Sequence, residues 1–405
     1  MRYERRSFVA ALAVLLLPAA ACSEFTKVTN PGPIQDSDLN NPDVVPALVV
    51  GMSGDLSAAI DDMIELTSIA ADELAHGGSY TAPGLYYRGI ILPEDVNGVW
   101  AGAHRARWVA ENGILRIREI LGEEGYESSA EAARANVLAG YANRLLGENM
   151  CYAVIDGGPR EDHKVHFSRA EDYFTEGLRL AERVGNATLR YAALAGRASV
   201  RAWQGKWDEA AQDAAQVPTN FVYEAIFSEN SGRENNNFWI ETHVRLEYTV
   251  YNTRWANVHG DPRVPWDTLY APGGGIRNGQ DGFTPYFQQK KYPERGSDVP
   301  LSKGTEMRVL QAEAALRRGD LTQFTALINE QRGHYGMDPI PQPANEDEAW
   351  EVLDFERGAV VWLEVRRFWD LRRWYEEGRN QFLANRDKCI PISRNEMNSN
   401  PNLHE

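Results

Sequence analysis

Residues 354–374 read DFERGAVVWLEVRRFWDLRRW, and how this stretch is taken decides the fold. At 100° per residue, Trp369, Trp362, Phe355 and Ala359 fall on one side of a helix. Leu363, Trp374, Val360 and Leu371 fall on a second, and Phe368, Val361 and Val365 on a third. A helix apolar nearly all round is wrapped by other elements instead of lying on a surface. This one also carries Arg366, Arg367, Asp370 and Arg373. Asp370 stands at i+4 from Arg366 and i−3 from Arg373, so one carboxylate between two guanidiniums can form locally. Buried charges persist when paired in this way. The reading is one C-terminal core helix over residues 350–378 with an internal ion-pair network.

Working outward, helical patterning fills most of the chain. Apolar residues recur at three- and four-residue steps from Ala47 to Ile64, and a helix with Trp100, His104 and Trp108 along one side runs from about Val96 to Leu121. Three later segments, near 131–150, 187–218 and 305–333, share a helix, glycine turn, helix plan around Gly147, Gly205 and Gly319. Each has a small residue seven positions before that glycine: Gly140, Ala198 and Ala312. Close antiparallel helices with this spacing follow the logic of tetratricopeptide repeats. The expected fold class is all-α, a TPR-like α/α superhelix, in one domain over 47–405. Trp100, Trp108, Trp203, Trp207, Trp362, Trp369 and Trp374 have helical spacing and are expected in the core.

Residues 219–300 differ. They hold Asn235-Asn236-Asn237, Gly273-Gly274-Gly275 and a dense set of aromatics, among them Trp239, Tyr251, Trp255, Trp266, Tyr270 and Tyr286, with no sustained period. A loop-rich insert of about 80 residues in a helical protein is usually functional.

The chain begins with basic residues, then an apolar run from Phe8 to Ala21 and Ala19-Ala20-Ala21-Cys22. This reads as a signal peptide over 1–21, too short for a membrane span. Cys22 is either the lipidated cysteine of a bacterial lipobox or incidental to a plain signal. Residues 22–46, rich in Asn-Pro and Pro-Gly steps, read as an extended tether, and nothing past residue 22 reads as a membrane span. Without Arg2, Arg5, Arg6 and Glu4 the chain carries 39 basic and 57 acidic residues, a net charge of −18. That argues against nucleic acid as a partner and against electrostatic adhesion to anionic lipid. Cys151 and Cys389 remain, as a disulfide or as two separately buried thiols. A disulfide would close a loop of roughly 240 residues, worth on the order of 5 kcal/mol.

With these pieces placed, the sequence resembles the SusD/RagB family of surface nutrient-binding lipoproteins. Glu356-Arg357, Glu364 and Arg366 to Trp374 are similar to the family's near-terminal helix, with Val365 where a glycine is usual. Cys389 to Glu396 and Asn400 to Leu403 resemble its closing segment, Glu306 to Asp320 its AEA…GD helix, and Trp100 to Asn112 its early W…Y…N helix. The resemblance implies a non-catalytic protein at the bacterial outer membrane. It would be lipid-anchored, facing the exterior, and would hold an oligosaccharide for a SusC-like TonB-dependent β-barrel transporter. A RagB-like peptide binder and a TPR scaffold for proteins alone are the alternatives.

Sugars present C–H faces and hydroxyls, so a site needs flat rings beside amide, carboxylate or guanidinium groups. The 76–97 loop supplies Tyr80, Tyr86, Tyr87, Arg88 and Asn97. The insert supplies Asn237, Trp239, Tyr251, Trp255, Trp266, Tyr270 and Tyr286. For each ring the bland role is packing the insert onto the scaffold. Asp61-Asp62, Asp72-Glu73 and Glu94-Asp95 are the carboxylates that a glycosidase would have to use. No HExxH, GxSxG, Walker or GxGxxG pattern occurs, no catalytic residue, metal ligand or cofactor is expected, and a structural calcium built from loop oxygens stays open.

Overall fold

The structure, a computed structural model, describes residues 41–404, so the signal segment (1–21), Cys22 and most of the tether lie outside the described residues. Residues 1–44 form one unit, described only by a 3-10 turn at Pro42–Val44. The second unit, 45–405, is the body of the protein.

The body runs through α1 (Val45–Ala70), α2 (Thr81–Tyr87), α3 (Asn97–Glu127), α4 (Ala130–Asn149), α5 (Val165–Arg183), α6 (Ala187–Trp203) and α7 (Trp207–Ala215). After the insert come α8 (Gly304–Arg317), α9 (Leu321–His334), α10 (Glu346–Val360), α11 (Arg367–Glu376) and α12 (Arg394–Ser399). The all-α, TPR-like reading is borne out. Neighbours in sequence pack in pairs: α1 on α3, α4 on α5, α6 on α7 and α8 on α9. The helical stretch Pro42–Ala70 is in fact long and apolar enough in composition to cross a membrane, against the sequence reading. Yet Val49, Met63, Ile64 and Ile69 of α1 are wholly covered by the other helices, which is how a core helix behaves.

Two of the glycine turns stand where the spacing put them. Gly205 and Gly319 take φ of 80° and 75°, the left-handed conformation that ends a helix and that glycine adopts without strain. Gly147 does not. It lies inside α4, and a Cβ there would sit 2.6 Å from Cε1 of Phe167. The glycine is needed for close approach of α5, and the actual turn of that unit is a short ribbon of β2 (Tyr152–Val154) and β3 (Arg160–Asp162).

The insert is more ordered than its composition indicates. Its ends are tied to the scaffold by β4 (Val222–Ala225) paired with β8 (Val299–Lys303). Its middle is a ribbon of β6 (Trp266–Thr268) and β7 (Phe287–Gln289), and β5 (Tyr248–Thr249) pairs with β1 (Ala75–His76).

The C-terminal spine is buried as expected but is two helices, not one. Residues 361–366 break it, with Leu363 at φ 56° and Val365 at φ 62°. Left-handed conformation costs a branched residue roughly 1–2 kcal/mol. Packing repays it, since both side chains are buried, and so do contacts to the backbone of the break. The Leu363 N–H donates to Glu73 Oε1 at 2.6 Å, the Tyr292 hydroxyl donates to Leu363 O at 2.6 Å, and Lys291 reaches Trp362 O and Glu364. Because the chain turns, Asp370 pairs with Arg373 at 2.8 Å and with Arg357 at 2.9 Å, not with Arg366. Arg366 instead bridges Glu148 of α4 and Glu306 of α8, each at 3.1 Å. Burial works to raise Asp370, but Arg357 and Arg373 outweigh it and hold the carboxyl below the ordinary aspartate value. The charges thus cross-link four helices instead of decorating one.

Cys151 and Cys389 are bonded, 238 residues apart in sequence, with Cys151 N–H also donating to Ile390 O at 2.9 Å. The chain's end is therefore fastened to the end of α4.

Candidate functional site

The C-terminal segment beyond α11 crosses back over the loop after α2. Gly89 permits the crossing: its φ is 82°, and a Cβ there would sit 2.7 Å from Cβ of Arg386. Asp387 N–H donates to Gly89 O, and the Ile91 N–H donates to the Asp387 carboxylate. Between this strap, the end of α1 and residues 252–254 of the insert lies a cleft of about 550 Å³. That is within the range of about 300–1,000 Å³ usual for small-molecule sites.

Its walls carry two rings, two amides and three charged groups. Tyr87 presents its phenol, whose oxygen accepts from Asn252 Nδ2 at 3.0 Å; Asn252 sits at φ 62°, which asparagine tolerates. Phe382 is 37% exposed at the rim, with the Arg386 guanidinium 4.7 Å above its ring. Arg386 is fixed by Tyr87 O at 2.8 Å and Tyr86 O at 3.2 Å. Asp72 on the floor is gripped by Arg367 through two bonds, 2.8 and 2.7 Å, and by Arg254 at 3.5 Å; Arg254 also pairs with Asp354 at 2.5 Å. Asp72 and Arg254 are compensated within the wall, whereas Arg386 bonds only backbone carbonyls, so the cleft offers ring faces, hydrogen-bonding edges and one guanidinium without a carboxylate partner among the described residues.

The residues singled out in the sequence scatter. Tyr87 lines the cleft, and Tyr251 stands beside it at the surface. Tyr251 meets Phe287 edge-on at 5.3 Å, and Trp266 stacks on the same ring at 4.9 Å with planes 8° apart, flanked by His259. Tyr80 lies under Arg245, and Trp239 between His243 and Arg295. Tyr270 projects from an exposed turn, Arg88 and Asn237 are solvent-facing, and Asn97 lines a different cleft. Three corrections follow from burial. Tyr86, Trp255 and Tyr286 are interior: Tyr86 donates to Asp95 O, Trp255 packs on Gly358 and Phe355, and the Tyr286 hydroxyl lies 2.6 Å from Thr242 O. Their faces are covered by protein. Trp108, expected in the core, is 52% exposed, and Trp207 is half-buried. The cleft residues that sequence reasoning missed are Asn252, Arg254, Asn380, Phe382 and Arg386. Their only sequence signal was that they lie in aperiodic polar stretches.

Four of the six carboxylates that a hydrolase would have to use, Asp61, Asp72, Glu73 and Glu94, have structural partners. Asp61 accepts from the backbone of Asn237 and Phe238 at 2.9 and 3.0 Å and so caps a turn of the insert; burial raises it to about 6. Glu73 is buried under the break in the spine and raised to about 8 by that burial. Asp72 is clamped, and Glu94 pairs with Arg394 at 3.2 Å. Among the described residues no group of three or more His, Cys, Asp or Glu is placed to hold a metal ion.

The resemblance to the SusD/RagB family is borne out. The SusD family model matches residues 285–389, which include the spine. Solved structures share the fold. A SusD superfamily protein from Bacteroides thetaiotaomicron is 15% identical at TM-score 0.67, covering 90% of this chain and 98% of that one. One from Bacteroides vulgatus is 14% identical at 0.66, with the same coverage. A SusD-like carbohydrate binding protein from Bacteroides vulgatus is 14% identical at 0.60, covering 82% and 83%. At such identities the likeness is one of fold. No curated protein matches the chain.

Proposed function

We propose that this SusD-like chain is a surface glycan-binding protein that captures an oligosaccharide, without turnover, in the cleft between Tyr87, Arg254 and Phe382. The observation that carries the reading is the cleft itself: an exposed ring at the rim, a hydrogen-bonded Tyr87–Asn252 pair, the paired Asp72 and Arg254, and the Arg386 guanidinium held by backbone carbonyls. Sugar hydroxyls exchange water for such amide and guanidinium edges while a C–H face covers the ring. The fold shared with a SusD-like carbohydrate binding protein supports it. On this reading the protein is lipidated at Cys22, sits on the outside of the bacterial outer membrane, and passes its cargo to a SusC-like TonB-dependent barrel.

The test is retention on immobilised polysaccharides and calorimetry with oligosaccharides. Phe382→Ala should weaken binding at least tenfold with the melting temperature unchanged, because the ring is at the rim. Binding that ignores Phe382→Ala would refute the site. Reducing ends released over hours would refute the absence of turnover.

A further inference from the structure

A second cleft, of about 450 Å³, lies over the first turns of α3, walled by the β2–β3 turn and α12. We propose that this cleft is a second carbohydrate site, gripping a neutral sugar ring between the indole of Trp108 and the amide and carboxylate edges of α12. The inference rests on the glycan-binding reading above and extends it to a separate face.

Three observations carry it. The first is Trp108. Half of a large indole stands in solvent at the rim, and among the described residues no other ring stacks on it. Leaving such a side chain uncovered forgoes burial of its exposed apolar face, which a ligand covering the ring recovers. The second is His104, one turn before Trp108. Its ring lies 4.3 Å from that of Trp100 in the floor, and its Nε2 is buried without a hydrogen-bond partner among the described residues. Burial, with Arg107 adding to it, lowers the imidazole to about 3, so the ring is neutral at any physiological pH. A neutral ring nitrogen without a partner is unfavourable, and a hydroxyl that reaches it supplies the missing hydrogen bond.

The third is charge. Arg107 pairs with Glu111 at 2.6 Å and Asp156 at 2.5 Å, with its Nε left unpartnered among the described residues, and the exposed Arg105 pairs with Asp55 at 3.3 Å. Glu396 Oε1 accepts from Asn400 Nδ2 at 3.0 Å, and the Asn395 N–H donates to Asn97 Oδ1 at 2.9 Å, which sets α12 against α3. With both guanidiniums already facing carboxylates, an anionic ligand meets neutralised charge, whereas a polyol finds acceptors and an aromatic face. Asn97, chosen from the sequence as a ligand residue, belongs to this cleft and not to the first.

The experiment titrates the full chain and its Trp108→Ala, Phe382→Ala and doubly substituted forms with maltoheptaose, cellohexaose, xylohexaose and mannohexaose. The readouts are calorimetry and quenching of tryptophan fluorescence by iodide. Both substituted side chains are at rims, so all forms should melt together. The expected result is two sites on the wild type and one on each single variant. The double variant should bind at least a hundredfold more weakly, and glycan should shield Trp108 from iodide in Phe382→Ala. If the wild type binds and Trp108→Ala changes nothing, the second site is refuted while the first stands. If Phe382→Ala changes nothing and Trp108→Ala abolishes binding, the first falls and the second stands. If no glycan binds the wild type, both fall.

Discussion

Glu73→Gln isolates the group that holds the break in the spine. Glu73 is 1% exposed, and its Oε1 accepts the N–H of Leu363, the first left-handed residue of the break. Burial raises it to about 8 from an ordinary 4.5, against the pull of Arg367 and Lys291. The folded chain therefore binds more protons than the unfolded one between those values. Its contribution to stability is whole below about pH 4.5 and is lost as pH rises through about 8. The full span is worth at most about 5 kcal/mol, and the part between pH 6.5 and 8 about 2 kcal/mol. Lys291, lowered by burial to about 8, works the other way, since stability returns as it deprotonates above that pH. Glutamine keeps the carbonyl acceptor and carries no charge at any pH. In urea unfolding followed by tryptophan fluorescence, the wild type should lose about 2 kcal/mol relative to Glu73→Gln between pH 6.5 and 8. A difference that stays flat across that interval would refute both the buried carboxyl and its role under Leu363.

Two further substitutions test the packing. Gly140→Ala would put a Cβ 2.6 Å from Cε1 of the buried Phe174 ring and should cost about 1–3 kcal/mol, whereas Gly51→Ala, with nothing within 4 Å on an exposed helix face, should stabilise by about 0.5–1 kcal/mol; paired thermal melts read the contrast. Replacing Cys151 and Cys389 together by serine should cost on the order of 5 kcal/mol, and the melting temperature of the double variant should then ignore added reductant.

What the sequence made legible is what repeats. Helix pairs around Gly205 and Gly319 announce themselves through period and turn glycine, because both are local. Gly147 misled for the same reason: in sequence a glycine that ends a helix and one that admits a phenylalanine ring look alike. The break at 361–366 was hidden because nothing local favours it. Leu363 and Val365 are poor residues for left-handed backbone, and they hold it through Glu73, Lys291 and Tyr292, which are remote in the chain. The glycine that the resemblance puts at 365 was the single hint. Trp108 has the spacing of a core residue, and only the position of α12 and the β2–β3 turn leaves its ring uncovered. Trp255 and Tyr286 show the reverse, since an aromatic insert must bury some of its rings to hold its own shape.

The first cleft was least legible because no single segment contains it. It joins the end of α1, the end of α2, residues 252–254 and the strap at 380–386, and the contact that aligns them is charge. Arg367, in the first turn of α11, holds both Asp72 on the cleft floor and Asp354 of α10, at 2.7 and 2.8 Å. Arg254 from the insert bridges the same two aspartates. The guanidiniums that look in sequence like the interior of a structural rod are thus also the underside of the first cleft. Arg367 is wholly buried and held strongly cationic by those two carboxylates despite the cost of burial. Losing either aspartate would leave that charge uncompensated, so scaffold stability and cleft geometry share the same residues. Rim residues such as Phe382 and Trp108 carry no ion pair, so on the proposed reading ligand preference changes there at less cost to the scaffold.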